Sequence, residues 1–299
     1  MDGLIIIDKP AGMTSHDVCH KVRKLLGIKK TGHTGTLDPM AEGVLVVMAG
    51  AATRLAEYLV QDEKEYVASI RFGLETDTQD IWGETISSCE PRVTREALES
   101  VLVAYRGQLK QVPPMYSAIK HKGKHLYDYA RKGETLDIPP RDIQISELEL
   151  LSDELPAEAR LRIRCSKGTY IRTLCHDIGR SLGCGAVMSA LRRTQTGRYG
   201  QEQAVSLQTL ETYVLRGEGE KLLLPFDEPL MHLPRVDVLP SCLRLLTGGT
   251  TLLAKNLEHA VQIPDGEEVR LYCGGQFYAV GRVTGEGIKP CKVFFSEQR

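Results

Sequence analysis

From Glu65 to Phe72 the chain alternates without a break, with Tyr66, Ala68, Ile70 and Phe72 on one side and Val67, Ser69 and Arg71 on the other. A period of two puts successive side chains on opposite faces of a pleated strand, so this segment is predicted to be a strand with one face against a core. Ile143–Leu150 and Ala159–Cys165 repeat the pattern. Helical spacing stands between such stretches. Val18, Val22, Leu25 and Leu26 follow a Thr14 or Ser15 cap and precede Gly27, and Thr94 caps a second stretch that runs to Tyr105 and ends near Gly107. Ile171, Leu174, Cys175, Ile178 and Leu182 mark the stripe of a third helix, closed by Gly183. Thr53–Val60 also reads as helical, Leu4–Ile7 as a short buried strand stopped by Lys9-Pro10-Ala11-Gly12, and Val44–Met48 as a further apolar stretch.

After about residue 235 the texture changes. Val269–Cys273, Phe277–Val283 and Cys291–Phe295 are short strand-like runs joined by Gly-rich turns, the pattern of a small β-barrel. A module of this length is near the lower limit for a self-sufficient core, so it is expected to dock on the larger part. The division expected is 1–234 and 235–299, with a basic, mobile-looking insert at about 115–140 in the first part.

The net charge of −1 hides a strong asymmetry. Between Arg160 and Arg198 nine basic residues face one acid, Asp177, giving +8 in that segment. Charge gathered in this way can neutralise phosphates and release their counterions; the plain alternative is a solvated basic face. Other partners are argued against. The eight cysteines include no Cys-x-x-Cys pair, so neither a zinc site nor a disulfide framework is expected. No apolar run approaches the ~20 residues that span a bilayer, and the acid-flanked Leu4–Ile7 lacks the basic start of a signal peptide. The expectation is a soluble, cytoplasmic protein without a membrane partner.

Gly32-His33-Thr34-Gly35-Thr36-Leu37-Asp38-Pro39 is the segment richest in potential chemistry. Glycines allow a backbone to come close to a ligand, threonines offer hydroxyls, and Pro39 restricts Asp38 to extended conformations. On local chemistry alone, an Asp before Pro most often caps its own turn. The loop is not a P-loop, because Gly-Lys-Ser/Thr is missing. Asp77 and Asp80 form a second acidic pair of the kind that can bind Mg²⁺.

The Gly32–Pro39 segment, with Ala41 and Gly43-Val44-Leu45 after it, resembles the catalytic motif of the TruB family of tRNA pseudouridine synthases. Gly3–Pro10 with Thr14-Ser15-His16 is similar to the family's N-terminal motif. Lys64-Glu65-Tyr66 with Gly73, Thr76-Asp77-Thr78 and Asp80 is similar to its second, and Pro113–Ala118 and Cys165–Leu174 are similar to later ones. The resemblance runs in order from residue 3 to about 200.

It implies an α+β fold: a mixed, largely antiparallel central sheet flanked by helices, followed by a PUA-type RNA-binding barrel. It also implies isomerisation of uridine 55 in the T-loop of tRNA, with the target base flipped out and Asp38 as the catalytic carboxylate. In this resemblance Arg172 pairs with Asp38, Tyr66 stacks on the target base, and Tyr170 and Leu191 line the uracil pocket. His33 fills the space left by flipped bases, the stretch around Lys120–Arg131 clamps the T-arm, and Asp77 and Asp80 belong to a structural turn. A guanidinium this close is expected to lower the Asp38 pKa and hold it ionised. The reaction conserves atoms and redox state, so neither cofactor nor metal is expected, and the substrate is expected to be tRNA bound by a monomer without an obligate protein partner. Tyr66, Tyr170 and Leu191 also read as ordinary core residues, and Arg172 as one more phosphate contact. The competing functions are a guide-RNA-dependent synthase of dyskerin type, against which the short N-terminus without a basic tail argues, a non-catalytic tRNA-binding or folding protein, and a metal nuclease built on Asp77 and Asp80.

Overall fold

The structure is a computed structural model that describes residues 1–59, 63–117, 119–134 and 136–295. Strand β1 (Gly3–Lys9) leads into helix α1 (Ser15–Leu26), a short strand β2 (Thr31–His33) and β3 (Glu42–Ala49). β1 and β3 pair antiparallel, Ile5 opposite Val47. Neither strand alternates, because both faces are covered. Leu4, Ile6, Val44, Val46 and Met48 enter one apolar cluster, while Ile5, Ile7, Leu45 and Val47 enter another with Val18 and Val22 of α1. Thr14 starts α1 through a capping box with Asp17, and Gly27 ends it at φ 64°.

The helix expected over 53–60 is split. A 3₁₀ stretch, Gly50–Leu55, closed by the Thr53 hydroxyl on the Gly50 carbonyl at 2.9 Å, precedes one α-turn, α2 (Ala56–Leu59); Val60 lies outside the described residues. Then come β4 (Lys64–Phe72), the hairpin β5 (Leu74–Thr76) and β6 (Thr85–Ser88), α3 (Arg95–Ala104) and β7 (Gly107–Gln111). Within the 115–140 stretch a two-residue ribbon, β8 (Lys120–His121) and β9 (Lys124–His125), runs into α4 (Leu126–Ala130). Leu126 is buried there, and Ala118 and Thr135 lie outside the described residues.

The sheet continues with β10 (Arg141–Glu154), β11 (Glu158–Cys165), helix α5 (Ile171–Ser181), β12 (Ala186–Thr196) and β13 (Tyr199–Gly200), and α6 (Leu207–Leu215) follows. Strand order is β1-β3-β12-β4-β11-β10-β7, with β2 on β3 and β13 on β12. Only β12–β3 is parallel, so the sheet is mixed and largely antiparallel, as expected. α3 and α5 cover the apolar face of β4, β10, β11 and β12, where Tyr66, Ala68, Ile70 and Phe72 join Leu98, Leu102, Leu174 and Ile178.

The C-terminal strands are β14 (Arg235–Val238), β15 (Glu268–Cys273), β16 (Gln276–Thr284) and β17 (Gly287–Val293), with a short helix α7 (Leu243–Thr247) after β14. They lie in sequence order, and single bridges Val238–Leu257 and Leu252–Ile288 draw the sheet round into a small module. The strand expected at Cys291–Phe295 begins at Gly287 instead. Pro290 concealed it, yet an edge strand tolerates a residue without an N–H. Phe294 and Phe295 leave the strand to pack on Phe226, with ring centroids 5.0 and 5.2 Å away. Phe226 and Phe277, 5.7 Å apart, belong to the same cluster as Leu4, Ile6, Val44 and Val46, so the module docks on β1 and β3. All eight cysteines are free, and no helix among the described residues is long and apolar enough to cross a membrane.

Candidate active site

Asp38 sits on the loop between β2 and β3, and the loop is held by its backbone. The Ser15 hydroxyl accepts from the Leu37 N–H at 2.8 Å and donates to the Leu37 carbonyl at 3.2 Å. Gly12 N–H donates to the Pro39 carbonyl at 2.8 Å, and Ala41 N–H to the Asp38 carbonyl at 3.0 Å. Lys9, fully buried at the end of β1, spreads its ammonium over the carbonyls of Pro10 (3.0 Å), Pro39 (3.3 Å) and Ala41 (2.6 Å). From the other side Arg193 of β12 donates to the Gly35 and Val44 carbonyls at 3.1 and 2.7 Å. Gly43 makes that approach possible. At φ +101° it lies so close to β12 that a Cβ there would sit 2.2 Å from the Arg193 carbonyl oxygen.

Arg172, in the first turn of α5, meets the aspartate side-on. Its Nε lies 2.8 Å from Oδ2, and Nη2 donates to Oδ1 at 3.3 Å. The rest of the guanidinium is also engaged, with Nη1 reaching the Thr78 carbonyl (2.9 Å) and the Asp80 carboxylate (3.4 Å), and Nη2 reaching the Tyr116 carbonyl (2.9 Å). One side chain thus ties together the Asp38 loop, the β5–β6 hairpin and the start of the 115–140 stretch. The Asp38 side chain is 33% exposed against 6% for Arg172, so the carboxylate is the member of the pair that a ligand can reach.

The expected lowering of the Asp38 pKa is not what results. Burial raises the carboxyl above its ordinary value, the Arg172 guanidinium pulls it back, Asp80 pushes it up again, and the net direction is upward. Arg172 therefore limits a rise. Lys9 is moved the other way, down to about 8 by burial, despite the opposing pull of Asp38 and Glu42.

Of the other expected site residues, Tyr66 and Tyr170 feel the Asp38 charge and Leu191 shares a cluster with Leu37, whereas His33 lies near Arg193 and His16. Tyr66 of β4 stands opposite Arg193 of β12 and is 6% exposed; burial raises its phenol, which stays neutral near neutral pH. It is both a member of the core cluster and a neighbour of Asp38, so its two readings describe one position. Leu191, opposite Ala68, lies in that cluster with Leu37 and Tyr66. The Tyr170 backbone is clamped by the Gln111 amide at 2.8 and 3.0 Å, and burial raises its phenol, with a smaller upward push from Asp38. His33 closes β2, and its imidazole is held neutral by burial and by the nearby Arg193 charge.

Asp77 and Asp80 are occupied as turn acceptors. Asp80 takes the Thr78 hydroxyl (2.9 Å) and the Trp82 N–H (3.1 Å), while Asp77 takes the Glu84 N–H (2.8 Å) and the Tyr116 hydroxyl (3.1 Å). Among the described residues no group of three or more His, Cys, Asp or Glu is placed to hold a metal ion.

The charge reading needs correction. Most of the +8 of residues 160–198 is neutralised by acids distant in sequence. Arg162 meets Glu149, Arg164 meets Glu65 and Glu147, Arg172 meets Asp38 and Asp80, Arg180 meets Glu75, Arg192 meets Asp8 and Glu42, and Arg198 meets Glu228. Arg193 is 1% exposed. Sheet pairing brings acids of β4 and β10 alongside the arginines of β11, a juxtaposition that a linear charge count cannot see. Lys9 and Arg193 hold the Asp38 loop from its two sides, and sequence reasoning did not single them out. Their only signal was position, Lys9 in the N-terminal motif and Arg193 in the basic run.

Comparison with known proteins gives the family. Residues 23–171 match the model of the TruB family pseudouridylate synthase N-terminal domain, and residues 172–231 match that of the tRNA pseudouridylate synthase B C-terminal domain. The chain is 41% identical over 298 residues to the tRNA pseudouridine synthase B of Azoarcus sp. (strain BH72), covering 99% of this chain and 96% of that protein. It is 42% identical over 306 residues to its namesake from Syntrophomonas wolfei, covering 98% and 99%. Among solved structures it is similar to a crystallised Cbf5-Nop10-Gar1 complex, with a TM-score of 0.72, 29% identity and coverage of 98% of this chain and 85% of that one. An H/ACA RNP bound to a substrate RNA containing 2′-deoxyuridine gives a TM-score of 0.71 at 27% identity, covering 99% and 86%. Two family models that together span residues 23–231, and relatives 41–42% identical along 98–99% of the chain, show that the chain belongs to the TruB family of pseudouridine synthases.

Proposed function

We propose that the protein isomerises one uridine in the T-loop of tRNA, position 55, to pseudouridine, acting as a monomer on the T-arm with Asp38 as its catalytic carboxylate. The observation that carries this reading is the Asp38–Arg172 pair, with the arginine closed off and the aspartate open. The N1–C1′ bond of the nucleoside breaks, uracil turns, a C5–C1′ bond forms, the C5 proton leaves and N1 takes up a proton, so the nucleoside keeps its composition and oxidation state. Asp38 acts either by attacking C1′ or by removing a sugar proton; both routes need it ionised and next to the ribose. Arg172 sustains the ionised form against the burial that opposes it. The target nucleotide leaves its stack at a cost of about a few kcal/mol, which stacking on the Tyr66 ring offsets. Leu191 and Tyr170 shape the pocket beside it, and His33, neutral, fills the space vacated in the loop. Residues 1–234 do the chemistry, the 115–140 stretch clamps the T-arm, and residues 235–299 add an RNA-binding PUA-type module.

The fold similarity to Cbf5 complexes favours a second reading, a guide-RNA-dependent synthase. Both readings meet one experiment. The pure protein is mixed with an unmodified tRNA transcript labelled at 5-³H-uridine, and the variant Asp38→Asn is run beside it. Wild type releases one tritium per tRNA with no added RNA or protein, while Asp38→Asn binds the tRNA and releases none. Dependence on an added guide would overturn the first reading, and near-normal turnover by Asp38→Asn would overturn the role of the aspartate.

A further inference from the structure

We infer that the RNA backbone is held in a basic groove along α1, not on the charge-dense segment 160–198. This rests on the reading of the chain as an RNA-modifying enzyme and adds the surface that grips the substrate. A concavity of about 440 Å³ is lined by His16, Cys19, His20, Arg23, Lys29, Lys30, Thr31, Gly32, His33 and Thr53. Its wall is one face of α1, and its far side is β2 with the turn before it. At one end stands His33, five residues before Asp38 on the same loop. At the other, a second concavity of about 440 Å³ shares Lys29, Lys30 and Thr53 and extends to Arg54. The Arg54 guanidinium lies 5.5 Å from the centre of the Phe294 ring of the C-terminal module. The two concavities together make a track from the catalytic loop to that module.

The cations of this track differ from most of those in segment 160–198 by being unpaired. Arg23, Lys29 and Lys30 are exposed, and no carboxylate among the described residues lies within ion-pair distance of any of them. The acids nearby are committed to backbone: Asp17 to the capping box of α1 and Asp2 to the Ala51 N–H. A concave surface with three open charges, two further imidazoles and the Thr31 and Thr53 hydroxyls is suited to a run of phosphates. An unpaired cation releases counterions when it meets a phosphate, whereas an arginine already on a carboxylate must first give that contact up. One occupant fits: the phosphodiester backbone of a folded RNA whose target nucleotide enters at His33.

The test compares two triple variants that lose the same charge. Arg23→Ala/Lys29→Ala/Lys30→Ala empties the groove, and Arg95→Ala/Arg162→Ala/Lys221→Ala removes three exposed cations that are paired elsewhere. Affinity for unmodified tRNA is measured from about 50 to 200 mM salt, together with single-turnover tritium release at saturating enzyme. The groove variant should lose about three units from the slope of log K against log salt and bind roughly 100-fold more weakly near 150 mM. Its saturated single-turnover rate should stay within about threefold of wild type, and the control triple should retain the wild-type slope. An unchanged slope in the groove variant, or an equal loss in the control, overturns the inference. Wild-type binding without pseudouridine formation would instead sink the proposed function, and the slopes would still decide the groove.

Discussion

The pH dependence of the chemical step tests the electrostatics of the site. Arg172 touches Asp38 at 2.8 and 3.3 Å, which places the two charge centres on the order of 4 Å apart. At an effective dielectric of about 20, that attraction is worth about 4 kcal/mol. Because the carboxylate is a third exposed, solvent screening takes away roughly half. About 2 kcal/mol remains, equivalent to roughly 1.5 pH units. On the proposed mechanism the chemistry needs ionised Asp38, so the rate should rise with pH through the carboxyl's titration, and a change that disfavours the anion should move this acidic limb upward. Arg172→Gln should therefore shift the limb of the single-turnover profile to higher pH by about one to two units. Asp80→Asn removes a negative neighbour that pushes the Asp38 carboxyl up, so it should shift the limb to lower pH by less. Arg172→Lys keeps the charge without the fork, so the limb should stay near its wild-type position while the plateau falls. Tritium release from about pH 5 to 8 reads all three, with thermal melting to confirm folding. If Arg172→Gln lowers the rate equally at every pH and leaves the limb in place, the guanidinium is a strut and the electrostatic reasoning is wrong.

Two further outcomes concern the scaffold of the site. The Lys9 ammonium titrates near 8 in the fold but near 10.5 when unfolded, so the unfolded chain holds more protons between those values and the Lys9 contribution to stability rises with pH across that window. Subtracting the unfolding free energy of Lys9→Met from that of wild type should show a rise of roughly 3 kcal/mol from pH 8 to 10.5, and a flat difference would refute the burial argument. Gly43→Ala forces a side chain into a φ of +101° and against the Arg193 carbonyl, so Tm should drop by roughly 5–10 °C with loss of turnover. A Tm within about 2 °C of wild type would mean that the β3–β12 contact yields easily.

The periodic parts of the fold were legible in the sequence because period reports burial directly. The β4 alternation, the α1 stripe with its Thr14 start and Gly27 stop, and the α5 stripe each stand where spacing placed them. β12 was not seen, although it lies between β3 and β4 at the centre of the sheet. Its inward positions include Arg193, and a buried guanidinium breaks the apolar count on which the pattern depends. The site was legible through resemblance, not local chemistry, since an Asp before Pro carries no sign of which arginine will face it across 134 residues. What the sequence could not convey is pairing. Whether a basic residue is open or already satisfied depends on strands brought alongside one another, which is why the densest run of positive charge turned out to be largely neutralised.

The aromatic contact between the C-terminal module and β1 and β3 has a mechanical consequence. β3 begins four residues after Asp38, and one of its two faces is sealed by side chains that include Phe277 and Phe294. That packing ties the C-terminal module to β1 and β3. Force or strain applied to the distal module passes straight into the strand that anchors the reactive loop. Cutting the module away would unroof Leu4, Ile6, Val44 and Val46, leaving an oily wound where the natural molecule has its second layer.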